Sequence, residues 1–370
     1  MANLPVSRVV FGDKFRPGFT VVSAEVEDHD RMIDKATVVL DDPNGIAAAA
    51  AYPGTAVIVE LGWEDESAVL FHGLVETSQS CVGGGAGKTT VVVYDDGILM
   101  HRDRRRKSYT GLLSSVVDEV LARYGSKFSV KNKPDPNPEF TDKRKLVQAN
   151  LTDYEFLNQV ALYYGARSFV EWDSELQSPV YWFVSNKELQ SSKSIGSLEY
   201  CCGYSKLLEF DCQRVAGRAG TQMVATVMDT ESGDPVETVG PTPPATPVPP
   251  SPKDAPTSGA TADVLAAADT KAKELASTPP PPTPLGPQPS DKARSDVLAV
   301  RDPTRILGWT GKGRAIGTVK MTAKSKVTIK GITPWAEGDW YVGMAVHRYQ
   351  RVTSGDRSSA TYETSFMVTR

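Results

Sequence analysis

Through the first hundred residues, β-branched and aromatic positions gather in short runs broken by turn residues. Thr20–Glu27, Ala36–Leu40, Ala56–Leu61, Val69–Glu76 and Thr89–Tyr94 read as strands, separated by Asp-Pro-Asn-Gly, Tyr-Pro-Gly and a glycine cluster. Closely spaced strands with such turns predict a small barrel or sandwich. From residue 108 the spacing of apolar positions becomes helical. Leu113, Val116, Val117, Val120 and Leu121 fall on one face of a helix predicted over Leu112–Tyr124, which stops at Gly125 and leads to strand Phe128–Lys131. Beyond the Pro-rich loop Lys133–Pro138 the plan repeats. Thr152-Asp153-Tyr154-Glu155 has the spacing of a capping box, and Phe156, Leu157, Val160, Ala161 and Tyr164 share one helical face. Gly165 supplies the left-handed stop. Arg167–Trp172 and Pro179–Val184 then predict a strand pair.

Strand character returns at Ile195, with an echo of the first block. Val57–Gly62 is followed by Phe71, Gly73 and Val75; Val327–Gly331 is followed by Trp340, Gly343 and Val346. In each case a long hairpin ends in a Thr-rich strand, Thr89–Tyr94 or Thr361–Val368. An internal duplication accounts for both. The predicted fold class is therefore α+β and β-rich: barrel-like domains at 1–107 and 195–370, joined by a mixed helix–strand domain at 108–194. A Pro-rich and Ala-rich insertion at 235–292 interrupts the second barrel. It carries more than half of the 26 prolines, with only Thr261–Ser277 free to form a helix. Its flanks should be extended and semi-rigid. It reads as a solvated arm, or one whose helix docks on a neighbouring subunit.

Bulk properties narrow the class of function. A length of 370 residues suits two or three domains. The formal net charge of −4 points away from nucleic-acid and membrane-surface binding. No apolar run is long enough to span a bilayer, and the first residues lack the apolar core of a secretory signal, so synthesis and assembly in a cytoplasm are expected. Cys81, Cys201, Cys202 and Cys212 match neither zinc spacing nor a disulfide framework. They are expected to be buried, reduced thiols, with Cys202–Cys212 a minor alternative as a disulfide.

The candidate chemistry is thin. Gly83–Thr89 imitates a phosphate loop, but Val82 stands where its first glycine belongs. A β-branched run follows it where a helix N-terminus is required, so a hairpin tip that can touch a neighbour is the reading. His101–Lys107 is the strongest basic cluster and is expected to be a solvated or salt-bridged strap. His29, His72, His101 and His347 stand apart without zinc spacing. Asp41-Asp42 and Asp95-Asp96 are adjacent pairs at turns or strand ends, unlike the opposed carboxylates of glycosidases. No catalytic, cofactor-binding or metal-binding residue is assigned, no cofactor is expected, and the chain is expected not to be an enzyme.

Two segments carry a family resemblance: Val91–Gly111 (VVVYDDGILMHRDRRRKSYTG) and Leu151–Asp173 (LTDYEFLNQVALYYGARSFVEWD). Together they resemble the late control D family of phage tail proteins, the baseplate hubs of contractile tails and the hub part of valine-glycine-repeat spike proteins. The resemblance implies two tail-tube-like barrels per subunit and a homotrimer. Three such subunits would adapt a hexameric tail tube ring to a trimeric spike and form part of a conduit for DNA or cargo. It further implies contacts with other baseplate proteins, no membrane insertion, and a place in a virion baseplate or an injection particle. Because Arg370 closely follows the last strand, the spike is expected to be a separate protein. The alternatives are a tail-associated cell-wall hydrolase and a peripheral receptor-binding tail protein.

Overall fold

Strict alternation puts one face of each early strand indoors, which is how short β-branched runs build a sheet with one covered side. The structure, a computed structural model, describes residues 4–12, 20–83, 86–143, 145–200, 206–214, 223–228, 234–239, 262–264, 266–267, 270, 283–288, 309–333, 336–354 and 357–370. The first segment holds strands β1 (Pro5–Phe11), β2 (Thr20–His29) and β3 (Lys35–Asp41), helix α1 (Ile46–Ala50), then β4 (Ala56–Trp63), β5 (Glu66–Gly83) and β6 (Ala86–Asp95). Ala36, Val38 and Leu40 of β3, Val57, Val59 and Leu61 of β4, and Val91 and Val93 of β6 are all fully buried on the shared inner face.

The central segment comprises a 3₁₀ turn at Asp96–His101, strands β7 (Arg104–Tyr109) and β8 (Gly111–Leu112), and helix α2 (Leu113–Leu121). It continues with β9 (Ser129–Lys133), β10 (Glu139–Phe140), β11 (Leu146–Thr152), helix α3 (Asp153–Tyr163), β12 (Ala166–Asp173), β13 (Ser178–Ser185) and helix α4 (Asn186–Ser191). β12, β13 and β9 form one sheet, with β9 parallel to β13, while β7 pairs with β11 and β8 with β10. The predicted faces of α2 and α3 pack on one core with Tyr109, Phe140, Tyr181 and Phe183.

The last segment contains β14 (Ser194–Glu199), β15 (Leu207–Arg214), β16 (Met223–Met228), β17 (Pro235–Val239), β18 (Thr283–Gln288), β19 (Trp309–Ile316), β20 (Ser325–Lys330), β21 (Gly338–Ser354) and β22 (Arg357–Thr369). The first and last segments join in one sheet. Its path runs β1-β4-β5-β6-β3-β2-β21-β22-β19-β15, with β20 beside β21 and β14 beside β20. Matching β1 to β6 in chain order with β14, β15, β19, β20, β21 and β22 gives the same neighbour order twice. The matched positions agree in detail: buried Val59 faces buried Phe71, and buried Val327 faces buried Trp340. One ladder departs from the repeat, since β1 runs antiparallel to β4 while β14 runs parallel to β20.

Of the expected architecture, the β-rich α+β character is present, whereas neither half is seen as a closed barrel among the described residues. No ladder among the described residues closes either half, because β2 gives its second edge to β21 over Ser23–His29. The seam is reinforced where the indole N–H of Trp63 donates to the carbonyl of Gly317 at 2.7 Å. Most of the 235–292 insertion, including most of the Ala-rich stretch, lies outside the described residues. Within it, β17 and β18 flank β16 in a small sheet that falls between the counterparts of β2 and β3.

Candidate functional site

The two motifs behind the family resemblance meet in space. Thr152 caps α3: its Oγ1 accepts from the N–H of Glu155 at 3.2 Å, and the Glu155 carboxylate accepts from the N–H of Thr152 at 2.9 Å. The same carboxylate pairs with Arg104 at 3.1 Å, so the basic strap is fastened to the helix start. His101 packs against Tyr154 with ring centroids 4.2 Å apart and the planes tilted by 33°. Gly97, from the first motif, lies so close that an added Cβ would touch Tyr154 and Val170 and clash with the Asp95 carboxylate.

Asp153 anchors this clasp. It is buried and accepts from Arg123 Nη1 at 2.6 Å, Gln148 Nε2 at 2.8 Å and the Tyr124 hydroxyl at 2.8 Å. Arg123 also donates to Tyr109 Oη, whose hydroxyl donates to Gln148 Oε1 at 2.8 Å. Burial and the neighbouring Asp153 push the Tyr124 phenol well above its ordinary range. The strap itself is exposed: Lys107 pairs with Glu119, and Arg105 lies near both Asp103 and Asp153.

A second polar centre lies where the three chain segments converge. Lys324, in the loop before β20, is buried with its ammonium 2.8 Å from Asp28, 3.2 Å from Asp34 and 3.4 Å from Glu171. Its backbone is left-handed (φ 62°), a conformation that costs a lysine about 1 kcal/mol or more. Asp95 accepts from the N–H groups of Asp34 and Gly97 at 2.8 and 2.6 Å. Beside them Arg167 of β12 pairs with Asp30 at 3.4 Å. Sequence reasoning singled out Asp95 but missed Lys324, Asp28, Asp34 and Glu171, which have no shared spacing and meet only through the fold.

The other residues singled out by their place in the sequence are dispersed by the structure. His72 Nδ1 lies 2.6 Å from Asp96, and its ring stacks on Trp172. His347 is buried between the Met321 carbonyl (2.8 Å) and the Tyr362 hydroxyl (2.9 Å), and burial depresses its pKa to about 4. Asp42 accepts from the N–H groups of Ala47 and Ala48 and from Thr89. Although burial opposes them, these bonds hold its carboxyl below the usual range. Cys212 is half-buried, but Cys81 is exposed, because β5 and β6 run past the core as a hairpin. That corrects the expectation of a buried thiol; Cys201 and Cys202 lie outside the described residues. Among the described residues no group of three or more His, Cys, Asp or Glu side chains is arranged to hold a metal ion.

Two surfaces offer themselves to partners. β1, β14 and β15 each have a single ladder neighbour among the described residues, leaving an open strand edge at each end of the sheet path and at its β14–β20 branch. Open edges are templates for strand pairing with another chain. The paired hairpins β5–β6 and β21–β22 occupy matched positions, and both carry exposed side chains toward their tips, including Val82 and Val352.

No family model and no curated protein matches this chain. Solved structures do. The prophage MuSo2 43 kDa tail protein from Shewanella oneidensis superimposes with a TM-score of 0.60 at 12% identity, over 99% of this chain and 98% of the other. The tail protein from Neisseria meningitidis MC58 gives 0.59 at 11% identity, over 99% and 96%. The E. coli c3393 protein is described as a type VI secretion component with structural similarity to T4 bacteriophage tail proteins gp27 and gp5. It gives 0.56 at 11% identity, over 98% and 76%. At such low identity the likeness speaks for architecture alone: this chain has the fold of phage tail proteins and of a type VI secretion component.

Proposed function

We propose that the chain is a structural hub of a phage tail baseplate or of a related injection machine, similar to the late control D proteins. It would act as a homotrimer. The observation that carries this reading is the repeated strand order within one sheet: three subunits would present six equivalent modules to a hexameric tail tube ring while keeping threefold symmetry toward a spike. The open edges at β1 and β15 support it, since unlike edges meeting head to tail give heterologous contacts, which form a ring where the rotation between subunits closes. The hub would seat a separate spike, contact neighbouring baseplate proteins and surround the path of DNA or cargo. A bore without a dense cationic lining would let DNA pass, because phosphate affinity grows with the number of cationic contacts.

On this reading the chain is not an enzyme, and its polar clusters hold the structure together. The test is the native mass of the full chain, alone and co-expressed with its tail tube and spike proteins. A particle of three times the 40.0 kDa chain in at least one state is expected, and a monomer or dimer in both would overturn the proposal. A zymogram on cell-wall substrate is the companion measurement, since clearing by the pure protein would move the reading to a tail-associated hydrolase.

A further inference from the structure

The Lys324 centre has more acids than cations. Four carboxylates, Asp28 and Asp34 from the β2–β3 region, Asp95 at the end of β6 and Glu171 of β12, gather around a single buried ammonium. The neighbouring guanidinium of Arg167 faces Asp30. On the flanks, His29 lies near Glu27, Asp96 holds His72, and Lys131 approaches Asp173 while also acting on Glu171 at longer range. Arg31 also pairs with Asp30 and Lys35 with Glu27, and the Tyr154 phenol of α3 and the neutral His347 of β21 lie beside the cluster. The Phe169 ring, 4.9 Å from the ammonium, keeps part of the wall apolar. Like charges confined beside a low-dielectric wall repel strongly unless one of them takes a proton.

We propose that this junction is a proton-operated clasp, which holds the central α/β unit and the second half of the sheet on the first half while the Asp95 carboxyl is protonated, and loosens when that proton passes to solvent. Geometry supplies the mechanical link. Lys324 is tied to β21 by its N–H on the Val342 carbonyl at 2.8 Å, and Asp28 accepts from the N–H of Ala323 at 2.8 Å. Asp34 accepts from the N–H of His29 at 2.7 Å, and the Asp95 N–H donates to the Asp34 backbone carbonyl at 3.1 Å. Repulsion among the acids therefore pulls on all three segments at once.

Burial pushes the Asp95 carboxyl up to about 7 and that of Asp34 upward as well, while the surrounding acids keep the Lys324 ammonium charged despite its burial. A carboxyl whose pKa rises on folding contributes stability that is complete below its unfolded value near 4 and disappears as the pH climbs through 7. The clasp is thus tight in acid and slack in alkali. His347 works in the opposite sense, because its pKa falls on folding and its contribution fades as the pH drops from about 6.5 toward 4. A global melting curve would mix the two, so the readout must be local.

Hydrogen exchange of the full chain, corrected for intrinsic rates, should be followed in peptides spanning 24–36 and 318–330. Wild-type protection is expected to fall by about tenfold between pH 6 and 8, and Asp95→Asn should flatten the profile. Protection independent of pH in the wild type, or an Asp95→Asn profile that follows it, would overturn the clasp. Should that variant fail to fold, the carboxyl carbon shift of Asp95 in the wild type decides. A midpoint between about 6 and 8 supports the proposal, and one below 5 refutes it.

Discussion

Asp153 shows how one side chain can account for a motif. Its carboxylate receives Arg123, Tyr124 and Gln148 while itself buried, so removing it strands a guanidinium and an amide in the interior. Breaking a buried pair from one side costs about 3–5 kcal/mol, and Asp153→Ala should lower the unfolding free energy by that order in urea titrations. Asp153→Asn keeps the shape and part of the bonding, so it should cost less. His347 offers a second test. The Met321 carbonyl can only accept, so Nε2 carries the proton and Nδ1 accepts from Tyr362. Protonation would charge a ring with no exposed surface to hydrate it. Wild-type stability relative to His347→Gln should therefore fall between about pH 6.5 and 4, by roughly 3 kcal/mol at the limit. A difference constant across that range would show that the ring takes up its proton in the folded chain as readily as in the unfolded one, or that it is charged throughout.

At the scale of elements, α3 was legible because its signals are local. The cap, the apolar face and Gly165 (φ 63°) all lie within fourteen residues of chain and agree with one another. Thr152→Ala should remove the cap and cost about 1 kcal/mol, read as a lower urea midpoint with an unchanged slope. The rescue Thr152→Ser should recover most of it. α2 was legible for the same reason, although it turns into a 3₁₀ segment after Leu121 rather than continuing to Tyr124. The strands that the sequence pattern marked were drawn too short, and others, such as β7 in the basic strap, carried no strand pattern. β5 extends to Gly83 through Thr77, Ser78, Gln79 and Ser80, whose polarity hides a strand that continues as a hairpin with little to cover it. β1 escaped notice because it is an edge strand with two buried apolar residues, Val9 and Phe11, too few for a periodic signal. The Lys324 centre had no sequence signature at all, since its members come from three remote segments of the chain and meet only through the fold.

For the molecule as a whole, the echo between Val57–Val75 and Val327–Val346 led to a repeat that the strand order bears out, yet it suggested two separate barrels. What the echo could not carry is the β2–β21 seam, because strand pairing between remote segments leaves no periodic trace in either one. That seam has an energetic consequence. Ala24 and Val26 of β2, and Ala345 and Val346 of β21, are buried along it, and Trp63 bridges to Gly317. The two halves should therefore unfold together. In urea, Trp fluorescence, which includes Trp63 in the first half and Trp340 in the second, should trace the same transition as far-UV circular dichroism. Ala345→Glu, which places a charge at a fully buried seam position, should cost several kcal/mol and split or abolish the common transition. If the wild type already unfolds in two steps, with Trp63→Phe altering only one of them, the halves are independent units held by docking. The single sheet would then be a consequence of their contact and not its cause.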